Sequence, residues 1–236
     1  MTVDQTTRRN QRREQAEATR RQLLEAAGDV FERRGYRATS VGAITERADT
    51  AHGTFYLYFR NKEDVFCQVI EAVVVDELVD TTMVPVDGSP REAVERGVRA
   101  FVGVFDRHKG LWRALLEGML LSPRVRELWL QLRRDLVMRI AHAFEVQQRS
   151  GRARPFDATM VAHSLAAMAE WSAFTHLVLG EPDPEAGPDR EALVATLADL
   201  WDRAVRATPA GDVGAGEGDG QGGAGGPGGA QIPPSA

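Results

Sequence analysis

The chain has only one cysteine, Cys67, in 236 residues, so no intrachain disulfide can form. Cys67 falls in the apolar register of a helical pattern and is expected to be a buried thiol, not a redox sensor. No apolar run approaches the ~20 residues that span a bilayer. The opening stretch MTVDQTTRRNQRREQ lacks the apolar centre of a signal peptide. These absences point to a cytoplasmic protein with no membrane partner. Also missing are a Gly-rich phosphate loop, an HExxH pair and a Cys/His cluster at metal spacing, so no cofactor and no metal is expected. His163 and Glu170, on one face of one helical pattern, come nearest to an acid–base pair, which is too little to argue for an enzyme. No segment alternates as a half-buried strand does. The fold class is therefore all-α.

A hydrophobic content of 43% and a charged content of 27% belong to a chain able to bury a core. The net charge of −5 argues against a nucleic-acid partner until its distribution is read. Through Lys62 the chain carries 12 Lys and Arg against 8 Asp and Glu; beyond it, 17 against 26. A basic head on an acidic body suits a protein that meets phosphate with one end only.

Four segments follow from composition. Residues 1–16 carry Arg8, Arg9, Arg12 and Arg13 and read either as a solvated tail or as a flexible basic arm touching phosphate. Residues 17–62 hold three helical patterns. Leu23, Leu24, Ala27, Val30 and Phe31 share one face, with Gly35 as the stop. Val41, Ile44 and Ala48 mark a short second helix that Thr39 or Ser40 can cap. After the break Asp49-Thr50-Ala51, Phe55, Tyr56, Tyr58 and Phe59 give another short helix an aromatic face. Two short helices joined by a tight turn are a helix-turn-helix, a device that sets a helix in the DNA major groove.

Residues 63–207 continue as helices. One, capped by Asn61, runs from Lys62 to Thr82; Pro85, Gly88 and Pro90 break the chain. Others span Arg91–Arg107, His108–Leu121, Arg124–Gln148, Asp157–Leu179 and Asp189–Arg206. Residues 208–236 are Gly-rich, too apolar-poor to offset ordering entropy, and read as a disordered tail.

Within the helix-turn-helix, His52 and Thr54 lie at the leading end of the second helix and are candidates for base edges. Tyr56 and Tyr58 can donate hydroxyls to phosphate, Gly53 allows close backbone approach, and Lys62 adds an ammonium. Thr39, Ser40 and Thr50 complete the candidate DNA contacts, while Phe55 and Phe59 turn inward. In the body, Phe101, Phe105, Trp112, Met168 and Trp171 are the candidate ligand-binding residues, with His108, His142, His163 and His176 as possible polar anchors. Their chemistry favours an apolar or aromatic effector.

The run TSVGAITERADTAHGTFYLYFRNKEDVF, from Thr39 to Phe66, closely resembles the DNA-binding signature of the TetR family of bacterial regulators. The resemblance covers roughly residues 17 to 70; beyond it only a helical body of suitable length matches. It implies a homodimer, usually a repressor, released from a pseudo-palindromic operator when a small molecule enters the body. The family's usual contacts fall on Ser40, His52, Thr54, Tyr56, Tyr58 and Lys62. Asp49-Thr50-Ala51 replaces a common Gly-Val-Ser turn, so Ala51 lacks a hydroxyl for phosphate. The resemblance also implies dimerisation through the last two helices. Ala162, Ala166, Ala169 and Ala173 fit close helix approach, and Leu193, Leu197, Leu200 and Trp201 form a second stripe facing either the core or a partner. Alternatives are an activator of the same fold and a helical small-molecule binder without DNA binding.

Overall fold

The computed structural model describes residues 2–73, 77, 90–179 and 189–206. Helix α1 spans Thr2–Ala38, α2 Val41–Arg47, α3 His52–Phe55 and α4 Lys62–Ala72. The body follows with α5 at Pro90–Arg107, α6 at Lys109–Leu121, α7 at Pro123–Arg149, α8 at Ala158–Ala173 and α9 at Arg190–Val205. A wider π-helical turn, Phe174–Leu179, extends α8. No strand forms among the described residues, so the all-α expectation holds. The expected stretch of the third helix from residue 78 to 82, the Pro85–Gly88 break, the loop 180–188 and the Gly-rich tail lie outside the described residues.

Residues 2–16, read from sequence as a flexible arm, continue α1 without interruption. Four Arg and three Gln favour helix there, and Arg13 pairs with Glu17 one turn on at 3.0 Å. Leu23, Ala27, Val30 and Phe31 turn the inner face of α1 to the core. Gly35 leaves helical geometry at φ 75°, ψ 177°, a region essentially closed to other residues.

The head closes on aromatic packing: Phe31 meets Phe66 at 4.5 Å and Tyr36 meets Phe66 at 4.9 Å between ring centroids. Ile44, Phe55, Phe59 and Val65 are sealed beside them. Asn61 caps α4 by accepting the Asp64 N–H at 2.8 Å, and Asp64 in return accepts the Arg60 N–H at 3.0 Å. These reciprocal bonds satisfy backbone donors at the helix start.

Head and body meet along α1 and α6. Gly110 lies so close to α1 that a Cβ there would stand 1.9 Å from the Glu32 carbonyl oxygen. Glu32 then accepts the N–H groups of Gly110 at 2.7 Å and Leu111 at 2.8 Å. His108 offers α6 no side-chain cap, so a carboxylate from α1 does that work across the domain boundary. At the other end Glu117 accepts the Arg37 N–H at 3.0 Å. Ser122 caps α7 and donates to Glu63, while Arg124 pairs with Asp64 at 2.8 Å.

In the body, α5 packs on α9 and α7 on α8. The stripe Ala162, Ala166, Ala169 and Ala173 is buried within the chain itself, as are Leu193 and Leu197. Of the second stripe only Leu200 is well exposed, at 46%. The alanine stripe, Leu193 and Leu197 therefore serve this chain's own core, since small side chains let α8 approach its neighbours closely.

Candidate DNA-binding face and ligand cavity

The turn after α2 is made by Asp49, at φ 49° the one described non-glycine residue with a left-handed backbone. A short polar side chain tolerates that conformation, so the chain reverses here without glycine. Ser40 fixes the entrance to α2: its Oγ accepts the Ala43 N–H at 3.2 Å while the residue stays exposed. Helix α3 is a single turn from His52 to Phe55, shorter than the aromatic pattern predicts, and residues 56–58 continue as turns. Phe55 and Phe59 plug it into the core, their rings 5.4 Å apart.

That anchoring turns the intervening residues outward. His52 and Gly53 are exposed, Thr54 and Tyr58 half-buried, and Tyr56 is 55% exposed with its ring edge-on to His52 at 5.6 Å. All five, like Ser40, are at least partly open to solvent. Leu57 stands between the tyrosines at 78% exposure, an apolar group fit to meet a thymine methyl. Sequence reasoning passed over it; its place between the anchors Phe55 and Phe59 was the available signal.

Three candidates are placed differently. Thr39 is buried, and its hydroxyl donates to the Gly35 carbonyl at 2.7 Å. It closes the end of α1 instead of facing outward, because the chain must turn tightly after Gly35. The Thr50 hydroxyl is buried without a partner among the described residues. Lys62 bends inward: its Nζ donates to the Tyr36 carbonyl at 2.8 Å and lies 4.6 Å from the Tyr36 ring centroid. Burial pulls the Lys62 pKa down, against the opposing effect of the Glu117 carboxylate.

The body holds a cavity of about 320 Å³, near the lower end of the ~300–1,000 Å³ typical of small-molecule sites. Helix α6 supplies Trp112, Leu115, Leu116 and Met119 to its wall; Phe105 comes from α5 and Trp129 from α7. Ala167, Glu170 and Trp171 of α8, with Phe174, close the other side. Phe105 and Trp112 stack at 4.0 Å with nearly parallel rings, and Trp129 meets Trp112 edge-on at 5.7 Å. The buried indole N–H of Trp112 has no acceptor among the described residues.

Of the candidate ligand-binding residues, Phe105, Trp112 and Trp171 line the cavity, and Phe101 and Met168 do not. Phe101 stacks behind Phe105 at 4.9 Å, and Met168 points to the junction of the two hydrophobic cores. No histidine reaches the wall. His108 bonds Glu77 at 2.8 Å, His176 contacts the Ser172 carbonyl at 2.9 Å, and His163 meets Arg133 at 3.1 Å. The polar group of the wall is Glu170, whose Oε2 pairs with Arg133 Nε at 2.8 Å. Burial raises the Glu170 pKa, with Arg133 and His163 opposing. Arg133 bridges His163 and Glu170, so the two form a structural triad with it and not an acid–base pair.

A capped short helix, a left-handed turn and a one-turn helix with outward polar and aromatic groups define a helix-turn-helix DNA-binding protein. Residues 23–69 match the model described as "Bacterial regulatory proteins, tetR family", and residues 94–207 match "Transcriptional regulator EthR, C-terminal domain". The regulator EthR of Mycolicibacterium smegmatis is 27% identical over 189 residues, covering 79% of this chain and 85% of its own. EthR of Mycobacterium tuberculosis is 28% identical over 184 residues, covering 76% and 83%. Among solved structures, a putative regulator from Saccharomonospora viridis in complex with choline superposes with a TM-score of 0.66 at 20% identity, over 81% of this chain and all of its own. A TetR-like regulator from Rhodococcus sp. RHA1 gives 0.58 at 26% identity, over 79% and 94%.

The chain belongs to the TetR family of bacterial transcriptional regulators. It is a DNA-binding regulator and not an enzyme. No described helix is long and apolar enough to cross a membrane, and no described cluster of His, Cys, Asp or Glu is arranged to hold a metal.

Proposed function

We propose that this chain is a cytoplasmic, homodimeric repressor that binds a pseudo-palindromic operator and is released when a small, largely apolar or aromatic effector fills the cavity. One observation carries the reading. Helix α6 gives the cavity four wall residues and is held to the head at both ends, by Glu32 at Gly110 and Leu111 and by Glu117 at Arg37. A ligand that displaces Trp112, Leu115, Leu116 or Met119 must move α6 or strain those bonds, because packed interiors yield little. Either response shifts α1, and with it the face carrying His52, Thr54 and Tyr56. Population of the DNA-competent arrangement then falls by the ligand's differential affinity for the two arrangements.

In this reading His52, Thr54 and Leu57 meet base edges. Ser40, Gly53, Tyr56 and Tyr58 contact the phosphate backbone, and the basic stretch 1–16 adds contacts that carry no sequence information. Lys62 reaches phosphate with protons left over from its carbonyl bond. Thr50 stands behind this face. Dimerisation uses the outer faces of α8 and α9, where Met160 and Leu200 are exposed at 64% and 46%. A two-fold dimer sets two α3 turns about 35 Å apart along the duplex. The test is operator release: fluorescence anisotropy of a selected DNA fragment, titrated with small apolar and aromatic compounds. Release by one ligand class supports the proposal, whereas DNA affinity that no cavity-binding compound changes refutes it.

A further inference from the structure

We propose that the cavity takes an organic cation, its positive group held between aromatic faces and the Glu170 carboxylate, and that it discriminates against carboxylates. The inference rests on the reading of this cavity as the effector site and deepens it by naming the charge of the ligand. Five of the ten wall residues are aromatic, and the wall contains one ionisable side chain, Glu170, with no Lys, Arg or His. Aromatic faces carry negative quadrupole charge and attract cations, most strongly when water is excluded. A carboxylate in the same wall adds to that attraction and repels an anion.

Arg133 does not cancel this preference. It binds Glu170 through Oε2 alone and turns a second nitrogen to His163, so it lies behind the wall and takes no part in lining it. The pairing holds the Glu170 carboxylate in place while leaving it short of compensation: burial still pushes its pKa upward in spite of Arg133. An entering cation supplies the missing opposite charge. The ring arrangement fits a compact cationic head, since Phe105, Trp112 and Trp129 form one continuous aromatic corner. The remaining volume accommodates a small apolar body.

The experiment compares three probes of similar size on the full chain by calorimetry and operator anisotropy: phenyltrimethylammonium, its neutral isostere tert-butylbenzene, and phenylacetate. The cation is expected to bind at least tenfold tighter than tert-butylbenzene, with phenylacetate weakest. Glu170→Gln should shrink the cation's advantage over tert-butylbenzene at least threefold, and Trp129→Leu should also reduce it. Should Glu170→Gln unfold the chain, the double variant Glu170→Gln, Arg133→Gln leaves no unpaired charge and should show the same loss of preference. Equal or tighter binding of tert-butylbenzene, or an advantage untouched by these variants, overturns the charge assignment alone. Cation-selective binding that leaves operator affinity unchanged upholds the assignment and refutes effector release. Binding by none of the three overturns both.

Discussion

Replacing Glu32 by alanine removes the carboxylate that α1 lends to the first turn of α6. Two N–H groups, of Gly110 and Leu111, lose an ionised acceptor held at 2.7 and 2.8 Å. A hydrogen bond to a charged group contributes about 1.5–3 kcal/mol when well sheltered. Glu32 is only half-buried, so solvent recovers part of each bond. A carboxylate at a helix N-terminus adds about 0.3–1 kcal/mol through the helix dipole. Taken together, Glu32→Ala should cost about 2–4 kcal/mol. For a chain of this size each kcal/mol lowers Tm by roughly 2–4 °C, which makes a drop near 10 °C readable by circular dichroism. Glu32→Gln keeps one acceptor oxygen and should lose about half as much. The same variants should blunt release of DNA by any cavity ligand, because α6 is then less firmly tied to the head. A loss below about 0.5 kcal/mol for Glu32→Ala in urea melts, with release unimpaired, would refute the claim that this contact joins the two parts.

Other expectations follow from single groups. Asp64 is held below the ordinary carboxylate pKa by the Arg60 N–H and Arg124, which outweigh its burial. Its folded pKa therefore lies below its unfolded one, so its stabilisation is full above the ordinary value and disappears as pH falls through the depressed value. Asp64→Asn should flatten the acid limb of stability measured by urea melts between neutrality and pH 3; an unchanged limb contradicts this. Burial pushes the Cys67 thiol up to about 11, so iodoacetamide at pH 7.5 should label it only on unfolding; rapid native labelling contradicts that. Lys62→Ala should weaken binding to every DNA sequence and also lower Tm, since Lys62 bonds the Tyr36 carbonyl. His52→Ala should relax preference at one position of each half-site, as read by competition between single-base variants; equal loss on all sequences rules out base reading.

Much of the architecture was legible because it is local. Leucine and phenylalanine spacing fixed the face of α1, Gly35 its break, and Ser40 and Asn61 cap helices as their positions imply. The outward set His52, Gly53, Tyr56 was readable from the buried anchors Phe55 and Phe59. What could not be read depends on partners far along the chain. Glu32 capping α6, Arg124 on Asp64 and Arg133 between Glu170 and His163 join residues that no periodicity connects. The cavity failed in the same way: Met168 and Trp171 lie on one helix, but only packing against α6 and α7 decides which of them faces a void. Thr39 illustrates the limit at short range, since a hydroxyl that looks like a phosphate contact is consumed by the turn it closes.

Selection of bound fragments from random duplex DNA by the full chain tests the central claim most directly, that two copies of the exposed α3 face grip one duplex. The account predicts enrichment of an inverted repeat whose half-sites lie about one helical turn or a small multiple apart, bound by two chains and lost as salt rises. Recovery of fragments with no common sequence, or of a single half-site held by one chain, would contradict it.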